Sequence, residues 1–290
     1  MNNKKILKTR LRLGGFLLSV YFEYTLGDGI IKGVFEELNI KKQNKMKLSV
    51  VIPAYNEEKR IPATLHAIDT YLKKQEFEYQ IIVVVNGSHD QTYEVVRELA
   101  TKEIANLTAV NLAKGGKGYA VKKGILEYAD GDVIMFMDAD NATPISEVSK
   151  FFQYFEKGYD IVIGSRYLDP DKVKVHQPFY RILLSRASNL LIQIMAAPGI
   201  KDTQVGFKAF NKKAAKDIFR FVTISRWGFD FEVLKIGFDR GYRIKEVALS
   251  WTEHGGGHVP LKAYIESLLD LFKIKFRSLR GDYTKALKEN

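Results

Sequence analysis

Val133-Ile134-Met135-Phe136-Met137-Asp138-Ala139-Asp140 is the stretch that decides how this chain folds. Five consecutive apolar residues, with Gly131-Asp132 before the run and Asn141-Ala142-Thr143-Pro144 after the acidic pair, predict an inner strand of a parallel sheet whose carboxyl end opens into a loop. Ligands bind at that end of such sheets. Two carboxylates one residue apart repel each other there unless a hard cation lies between them. Mg²⁺ or Mn²⁺ held by one or two carboxylates takes its other ligands from substrate phosphates and water. The triplet therefore suggests a metal-bound nucleotide, although Asp-x-Asp also occurs as a plain helix cap.

Outward from this stretch, strand and helix patterns alternate from about residue 47. Leu48 to Ile52 reads as a strand, and the helix after it carries Ile61, Leu65, Ile68 and Leu72 on one face. Ile81 to Val85 is a second buried strand, followed by a helix with Val95, Val96 and Leu99, and Leu107 to Leu112 is a third, followed by a helix from Tyr119 to Tyr128. Ile161-Val162-Ile163 is a fifth strand, ending at Gly164-Ser165-Arg166. The order predicts an α/β, doubly wound, nucleotide-binding architecture. Beyond Pro178 the pattern is mainly helical, with a turn at Pro198-Gly199 and a hairpin-like run from Tyr242 to Trp251.

Three strand-end loops carry residues capable of chemistry. Pro53 to Glu58 offers an aromatic ring, an amide and two carboxylates, suited to a base and a ribose, though acidic residues at a helix start also complement its dipole. Lys114-Gly115-Gly116-Lys117 joins flexible backbone to two cations ahead of a helix N-terminus, which suits a diphosphate or is a solvated basic turn. It matches neither the Walker A pattern nor Gly-x-Gly-x-x-Gly. Arg166, just past a buried strand, is placed to fork onto a phosphate.

Composition narrows the partners. With 46% hydrophobic residues in 290, a sizeable core is available. The absence of cysteine excludes disulfides and thiolate metal sites. A net charge of +11 calls for anionic partners, but the basic residues are dispersed and no nucleic-acid motif accompanies them. No apolar run approaches the roughly 20 residues that span a bilayer, and the start does not read as a signal peptide. His254 and His258 flank Gly255-Gly256-Gly257, which reads as a loop closing over a ligand in preference to a zinc site.

The chain resembles the family-2 glycosyltransferases of the polyprenyl-phosphate sugar synthase group, and most closely the dolichyl-phosphate β-glucosyltransferases. The resemblance spans about residues 46 to 282 and rests on seven motifs in order. They are Val51-Ile52-Pro53-Ala54-Tyr55-Asn56-Glu57, Lys114-Gly115-Gly116-Lys117-Gly118, Asp138-Ala139-Asp140-Asn141-Ala142-Thr143, Gly164-Ser165-Arg166, Asp202-Thr203-Gln204-Val205-Gly206-Phe207-Lys208, Arg226-Trp227-Gly228-Phe229-Asp230-Phe231-Glu232 and Trp251-Thr252-Glu253.

This resemblance implies a GT-A fold and inverting transfer of glucose from UDP-glucose to a polyprenyl or dolichyl phosphate, with Mg²⁺ or Mn²⁺ on Asp138 and Asp140. It implies that Pro53, Ala54, Tyr55, Glu57, Lys117, Asp138 and Ala139 bind the nucleotide. Arg166 and Arg186 would take the lipid phosphate, while Asp202, Gln204, Asp230 and Glu232 would shape the sugar and acceptor side. Asn86 stands where relatives usually carry a carboxylate that contacts the base, and its amide can still bond a base edge. Transfer to a polysaccharide or glycolipid, and non-catalytic nucleotide-sugar binding, are the alternatives.

Three regions are expected. Residues 1–45 form a basic amphipathic arm that associates with membrane, 46–258 the catalytic domain, and 259–290 an amphipathic basic helix, so both termini are expected to be amphipathic helices. The C-terminal stripe comprises Leu261, Ile265, Leu268, Leu269, Phe272, Ile274 and Phe276, bordered by Lys262, Lys273, Lys275, Arg277 and Arg280. The expected location is cytoplasmic, with peripheral attachment to an anionic surface.

Overall fold

A computed structural model describes residues 4–13, 16–25, 31–32, 45–169, 171, 173–174, 188–252 and 261–285. In 4–13, 16–25, 31–32, 173–174 and 261–265 it describes the backbone alone. The chain divides into two compact units, Met1–Lys45 and Met46–Asn290.

The first unit is a correction to the expected helical arm. β1 (Lys4–Leu13) and β2 (Phe16–Thr25) pair antiparallel, with Leu13 opposite Phe16, and β3 (Ile31–Lys32) adds to β2. The physical reason is a period of two that the expectation passed over. By register Lys5, Leu7, Thr9, Leu11 and Leu13 share a face with Tyr24, Phe22, Val20, Leu18 and Phe16. Lys4, Lys8, Arg10 and Arg12 lie on the other. The segment is amphipathic and basic, as a ribbon.

The second unit is built on a seven-stranded sheet. Its strands are β4 (Lys47–Ala54), β5 (Glu78–Asn86), β6 (Leu107–Leu112), β7 (Val133–Met137), β8 (Ile161–Ser165), β10 (Phe207–Asn211) and β11 (Ile244–Ala248). They lie in the order β11-β8-β10-β7-β4-β5-β6, and β10 alone runs antiparallel to its neighbours. β9 (Val173–Lys174) and β12 (Trp251–Thr252) form a separate parallel pair. The expected hairpin from Tyr242 to Trp251 is therefore absent, because β11 pairs with β8 and β12 with β9.

Seven labelled helices flank the sheet: α1 (Ile61–Leu72), α2 (Thr92–Lys102), α3 (Lys117–Lys123), α4 (Ser149–Glu156), α5 (Lys212–Phe221), α6 (Phe229–Asp239) and α7 (Leu261–Leu279). α3 continues as a π-helical turn over Gly124–Tyr128. A further helical stretch covers residues 188–195. Ile61, Leu65, Ile68 and Leu72 of α1 are fully buried, as their spacing predicts. All five residues of β7 are buried, so the strand is covered on both faces.

The sheet order reverses at β4. The chain goes from β4 through β5 to β6 on one side and reaches β7 on the other, so the carboxyl ends of β4 and β7 flank a topological switch point. Two residues just past those ends, Asn56 (φ 53°) and Asn141 (φ 54°), take the left-handed conformation that turns each loop sharply away.

α7 departs from the expected stripe in one respect. Leu268, Leu269, Phe272, Phe276 and Leu279 are exposed, whereas Ile274 and Leu271 pack inward. Arg277 also turns inward, donating to Thr223 Oγ1 and lying 3.9 Å from Glu232. No helix among the described residues is long and apolar enough to cross a membrane.

Candidate active site

At the switch point the chain forms a cavity of about 660 Å³. It is lined by Pro53, Tyr55 and Glu57 after β4, Asn86 at the end of β5, Gly115, Gly116 and Lys117 before and at the start of α3, Asp138, Ala139 and Asp140 after β7, and also Arg60, Arg226 and Trp227. That volume suits a nucleotide-sized ligand. A second chamber of about 90 Å³, lined in part by Asp138, Asp140, Arg166, Gln204 and Trp251, lies beyond the same two carboxylates. The acidic pair is the wall common to both.

Local packing holds this wall in place. Thr64 of α1 donates to the Ala139 carbonyl at 2.8 Å, and the Ala142 N–H donates to Asp140 Oδ1 at 3.0 Å. Asp138 donates its backbone N–H to the Gly206 carbonyl at 3.2 Å, and a Cβ at Gly206 would lie 2.1 Å from Asp138 Oδ2. Only glycine lets the β10 approach come so close to the carboxylate. Burial, and then the charge of Asp138, push the Asp140 carboxyl above the usual aspartate value.

Lys117 faces the pair. Its Nζ is 2.6 Å from Asp138 Oδ1 and 4.0 Å from Asp230 Oδ2, and it lies 5.5 Å from the Trp227 ring centre. Burial opposes its charge, but Asp138, Asp230 and Asp140 together outweigh burial and hold the ammonium above the ordinary lysine value. Behind it, Lys208 donates to Asp230 Oδ1 at 2.5 Å and to the Val205 carbonyl at 2.6 Å. Glu57 accepts a two-pronged bond from Arg60, both contacts at 2.7 Å, while burial raises its carboxyl above the usual range.

Asn86, in the cavity lining, also joins two stretches of backbone. Its Nδ2 donates to the Ala54 carbonyl at 2.9 Å, and its Oδ1 accepts the Gly116 N–H at 3.0 Å. The amide thus ties the end of β4 to the glycine-rich loop. A carboxylate could accept from Gly116 but could not donate to Ala54. Ala54 is buried and absent from the cavity lining, where it contributes that carbonyl instead.

On the far side, Arg166 meets Asp202 rather than open space. Its Nε and Nη2 donate to the two carboxylate oxygens at 2.7 and 2.9 Å, and its backbone N–H donates to Oδ2 at 3.0 Å. Asp202 is buried, and although burial opposes its charge, Arg166 holds its carboxyl below the usual range. Glu246 in turn accepts the N–H groups of Lys201 and Asp202 at 3.0 and 2.7 Å. The Arg166 guanidinium lies 5.6 Å from the Trp251 ring centre.

The expected site residues therefore sort by place. Pro53, Tyr55, Glu57, Asn86, Lys117, Asp138, Ala139, Asp140, Arg166 and Gln204 line one or both cavities. Asp202, Asp230 and Glu232 are not among the residues that line either cavity. Asp202 and Asp230 each contact a residue that does, Arg166 and Lys117 respectively. Glu232 accepts from Thr223 N and Oγ1, Ile224 N and the Tyr283 hydroxyl at 2.8 to 2.9 Å, fixing the loop that leads to Arg226 and Trp227. Arg186 and the loop from His254 to His258 lie outside the described residues. Sequence reasoning assigned Arg60 no role and offered Gly206, Trp227 and Trp251 only as parts of motifs.

Residues 49–219 match the model of the family described as glycosyl transferase family 2. The chain belongs to glycosyl transferase family 2. A dolichyl-phosphate β-glucosyltransferase of Trichomonas vaginalis is 38% identical over 240 residues, which is 78% of this chain and 72% of the relative. The dolichyl-phosphate β-glucosyltransferase of Homo sapiens is 35% identical over 254 residues, 81% of this chain and 76% of its own. Among solved structures, glucosyl-3-phosphoglycerate synthase from Mycobacterium tuberculosis, in complex with Mn²⁺, UDP and glucosyl-3-phosphoglycerate, superposes with a TM-score of 0.58 at 19% identity, covering 80% of each chain. The likeness establishes the GT-A fold of this family 2 glycosyltransferase.

Proposed function

We propose that this chain transfers glucose from UDP-glucose to a polyprenyl phosphate of the dolichyl type, with inversion, at the cytoplasmic face of a membrane. The observation that carries this reading is the shared wall. Asp138 and Asp140 stand between a cavity large enough for a nucleotide sugar and a chamber bearing Arg166 and Gln204. The acceptor class comes from the names of the family 2 relatives, and the donor and metal from the UDP and Mn²⁺ bound by the structural neighbour.

The donor set fits a hard divalent ion. The carboxylates of Asp138 and Asp140 line the same two cavities. That suits Mg²⁺ or Mn²⁺, which draw most of their ligands from substrate phosphates and water. Bound there, the ion would offset charge on the departing diphosphate.

The chain's own residues do the rest. Pro53, Tyr55, Glu57 and Ala139 give the nucleoside its surface, and Lys117 meets the diphosphate. Arg166, fixed by Asp202, turns its remaining edge to the acceptor phosphate, with Arg186 as the second cation expected there. A phosphate monoester has its second pKa at about 6, so its attacking oxygen is already ionised and no catalytic base is needed. That oxygen bonds to the anomeric carbon as the bond to UDP breaks, the electron pair leaves on the diphosphate, and no proton moves. Alignment of the two phosphates across the sugar supplies the acceleration.

Attachment to the membrane is read from α7. Its exposed Leu268, Leu269, Phe272, Phe276 and Leu279 border Lys273 and Lys275, and residues 188–195 expose Leu190, Leu191 and Ile194. Such a face enters the headgroup boundary while its cations meet anionic lipid. The basic, amphipathic ribbon of residues 4–13 and 16–25 is a second candidate contact.

The test incubates the purified protein with a panel of nucleotide sugars, a short polyprenyl phosphate and Mn²⁺ and identifies products by mass. A hexosyl lipid phosphate formed from UDP-glucose is expected. Hexose transferred only to glycan or glycolipid hydroxyls would overturn the acceptor assignment.

A further inference from the structure

The acidic wall already holds a cation. Lys117 Nζ makes a 2.6 Å ion pair with Asp138 Oδ1, and Asp230 attracts the same ammonium from 4.0 Å. Asp230 is in turn held by Lys208, so it is not free to draw Lys117 away completely. A divalent ion entering alone would find two carboxylates, one of them paired, and would have to displace a charged neighbour into a site where it remains close by. Like charges at contact distance in a half-screened pocket cost several-fold to many-fold in affinity.

Lys117 also borders the 660 Å³ cavity, as the first residue of α3. Gly116 before it is pinned by Asn86, at φ 134°, and a Cβ there would lie 2.5 Å from the Ser225 carbonyl. The backbone is therefore fixed and only the four-carbon side chain can swing. A diphosphate in the cavity would offer the ammonium a stronger partner than one carboxylate. Its departure from Asp138 would open the oxygen that the metal needs.

The geometry points to Lys117 as a resident cation that holds the metal position at Asp138 until a nucleotide diphosphate takes the lysine over, so that metal and nucleotide bind as a coupled pair. The inference rests on the proposed role of Asp138 and Asp140 as metal ligands. It assigns Lys117 a positioning role. By linkage, whatever factor the nucleotide adds to metal affinity the metal adds to nucleotide affinity.

The experiment titrates Mn²⁺ by electron paramagnetic resonance, with and without UDP, and UDP by calorimetry in chelator. It compares the parent with Lys117→Met, Lys117→Gln and Lys117→Arg. Both neutral variants should bind Mn²⁺ alone roughly tenfold or more tighter than the parent, and bind UDP in chelator roughly tenfold weaker. Lys117→Arg should stay near the parent. These opposite signs separate the proposal from simple structural damage, which weakens both. Unchanged or weaker Mn²⁺ binding by folded neutral variants overturns it. If both neutral variants melt far below the parent, magnetic resonance of isotope-labelled lysine in the parent decides. The Lys117 ammonium signal must then shift when UDP is added in chelator, and an unmoved signal overturns the inference. Failure of the parent to bind Mn²⁺ even with UDP would remove the metal reading and this inference together.

Discussion

Two lysine–aspartate pairs lie side by side in this site, at almost the same distance. Lys117 meets Asp138 at 2.6 Å and Lys208 meets Asp230 at 2.5 Å. Their surroundings differ. The side chains of Lys208 and Asp230 are 0% and 3% exposed, against 16% and 40% for Lys117 and Asp138. Burial pushes the Lys208 ammonium below its usual value and the Asp230 carboxyl above it, and each charge draws its largest support from the other. The buried pair ties β10 to α6, while the open pair borders a cavity and can exchange partners. Distance does not assign a role to an ion pair. Access to ligand does.

That contrast can be broken by substitution. Asp138→Asn should lower turnover on the order of a thousandfold, the scale of a lost metal ligand, with an unchanged melting temperature. Asp230→Asn should do the reverse in kind, costing about 3–5 kcal/mol of stability in denaturant titration because Lys208 is left buried and unpaired. A silent Asp230→Asn would erase the distinction between the pairs. The double replacement Lys208→Met with Asp230→Leu should recover much of that loss, since an apolar pair needs no compensation.

Arg166→Lys sharpens the comparison on the acceptor side. It keeps the charge but loses the fork that Asp202 holds, so KM for the polyprenyl phosphate should rise roughly tenfold while calorimetric UDP binding is unchanged. Equal acceptor kinetics would shift the assignment towards a different acceptor class. Asp140 gives a pH test. Its carboxyl is raised by burial and by Asp138, so the folded state binds that proton more tightly than the unfolded state, and stability is lost as pH rises from the ordinary aspartate value through the raised one. Asp140→Asn should therefore melt no lower than the parent near neutral pH, with the two curves converging below that window. The smallest effect is expected at the surface, where Lys275→Gln should weaken binding to anionic vesicles about fivefold and the difference should vanish at high salt.

The two halves of the sheet were unequally legible in the sequence. β4 to β7 and the loops after them are read from contiguous apolar runs, and each donor-side loop sits at the end of its own strand. β10 was missed because Lys208 interrupts Phe207, Ala209 and Phe210 and reads as a surface residue. In the fold it is fully buried, with its ammonium satisfied by Val205 and Asp230. The pairing of Arg166 with Asp202 joins residues 36 apart in sequence, and no local pattern announces it. Asn86 read as a departure because relatives usually carry a carboxylate there, and its two backbone partners, Ala54 at the end of β4 and Gly116 in the glycine-rich loop, lie about thirty residues away on either side in sequence. The N-terminal ribbon was misread for another reason: its basic residues drew attention to charge, while the alternation that makes strands lay beneath it.

The central claim is that a phosphate oxygen displaces UDP in one step across the wall of Asp138 and Asp140. Nuclear magnetic resonance of the purified lipid product tests it most directly, through the anomeric configuration and the coupling of the anomeric position to phosphorus. The account predicts a β-linked glucosyl phosphate lipid from α-linked UDP-glucose. An α-linked product, or glucose joined to a carbon-bound hydroxyl with no coupling to phosphorus, would contradict it.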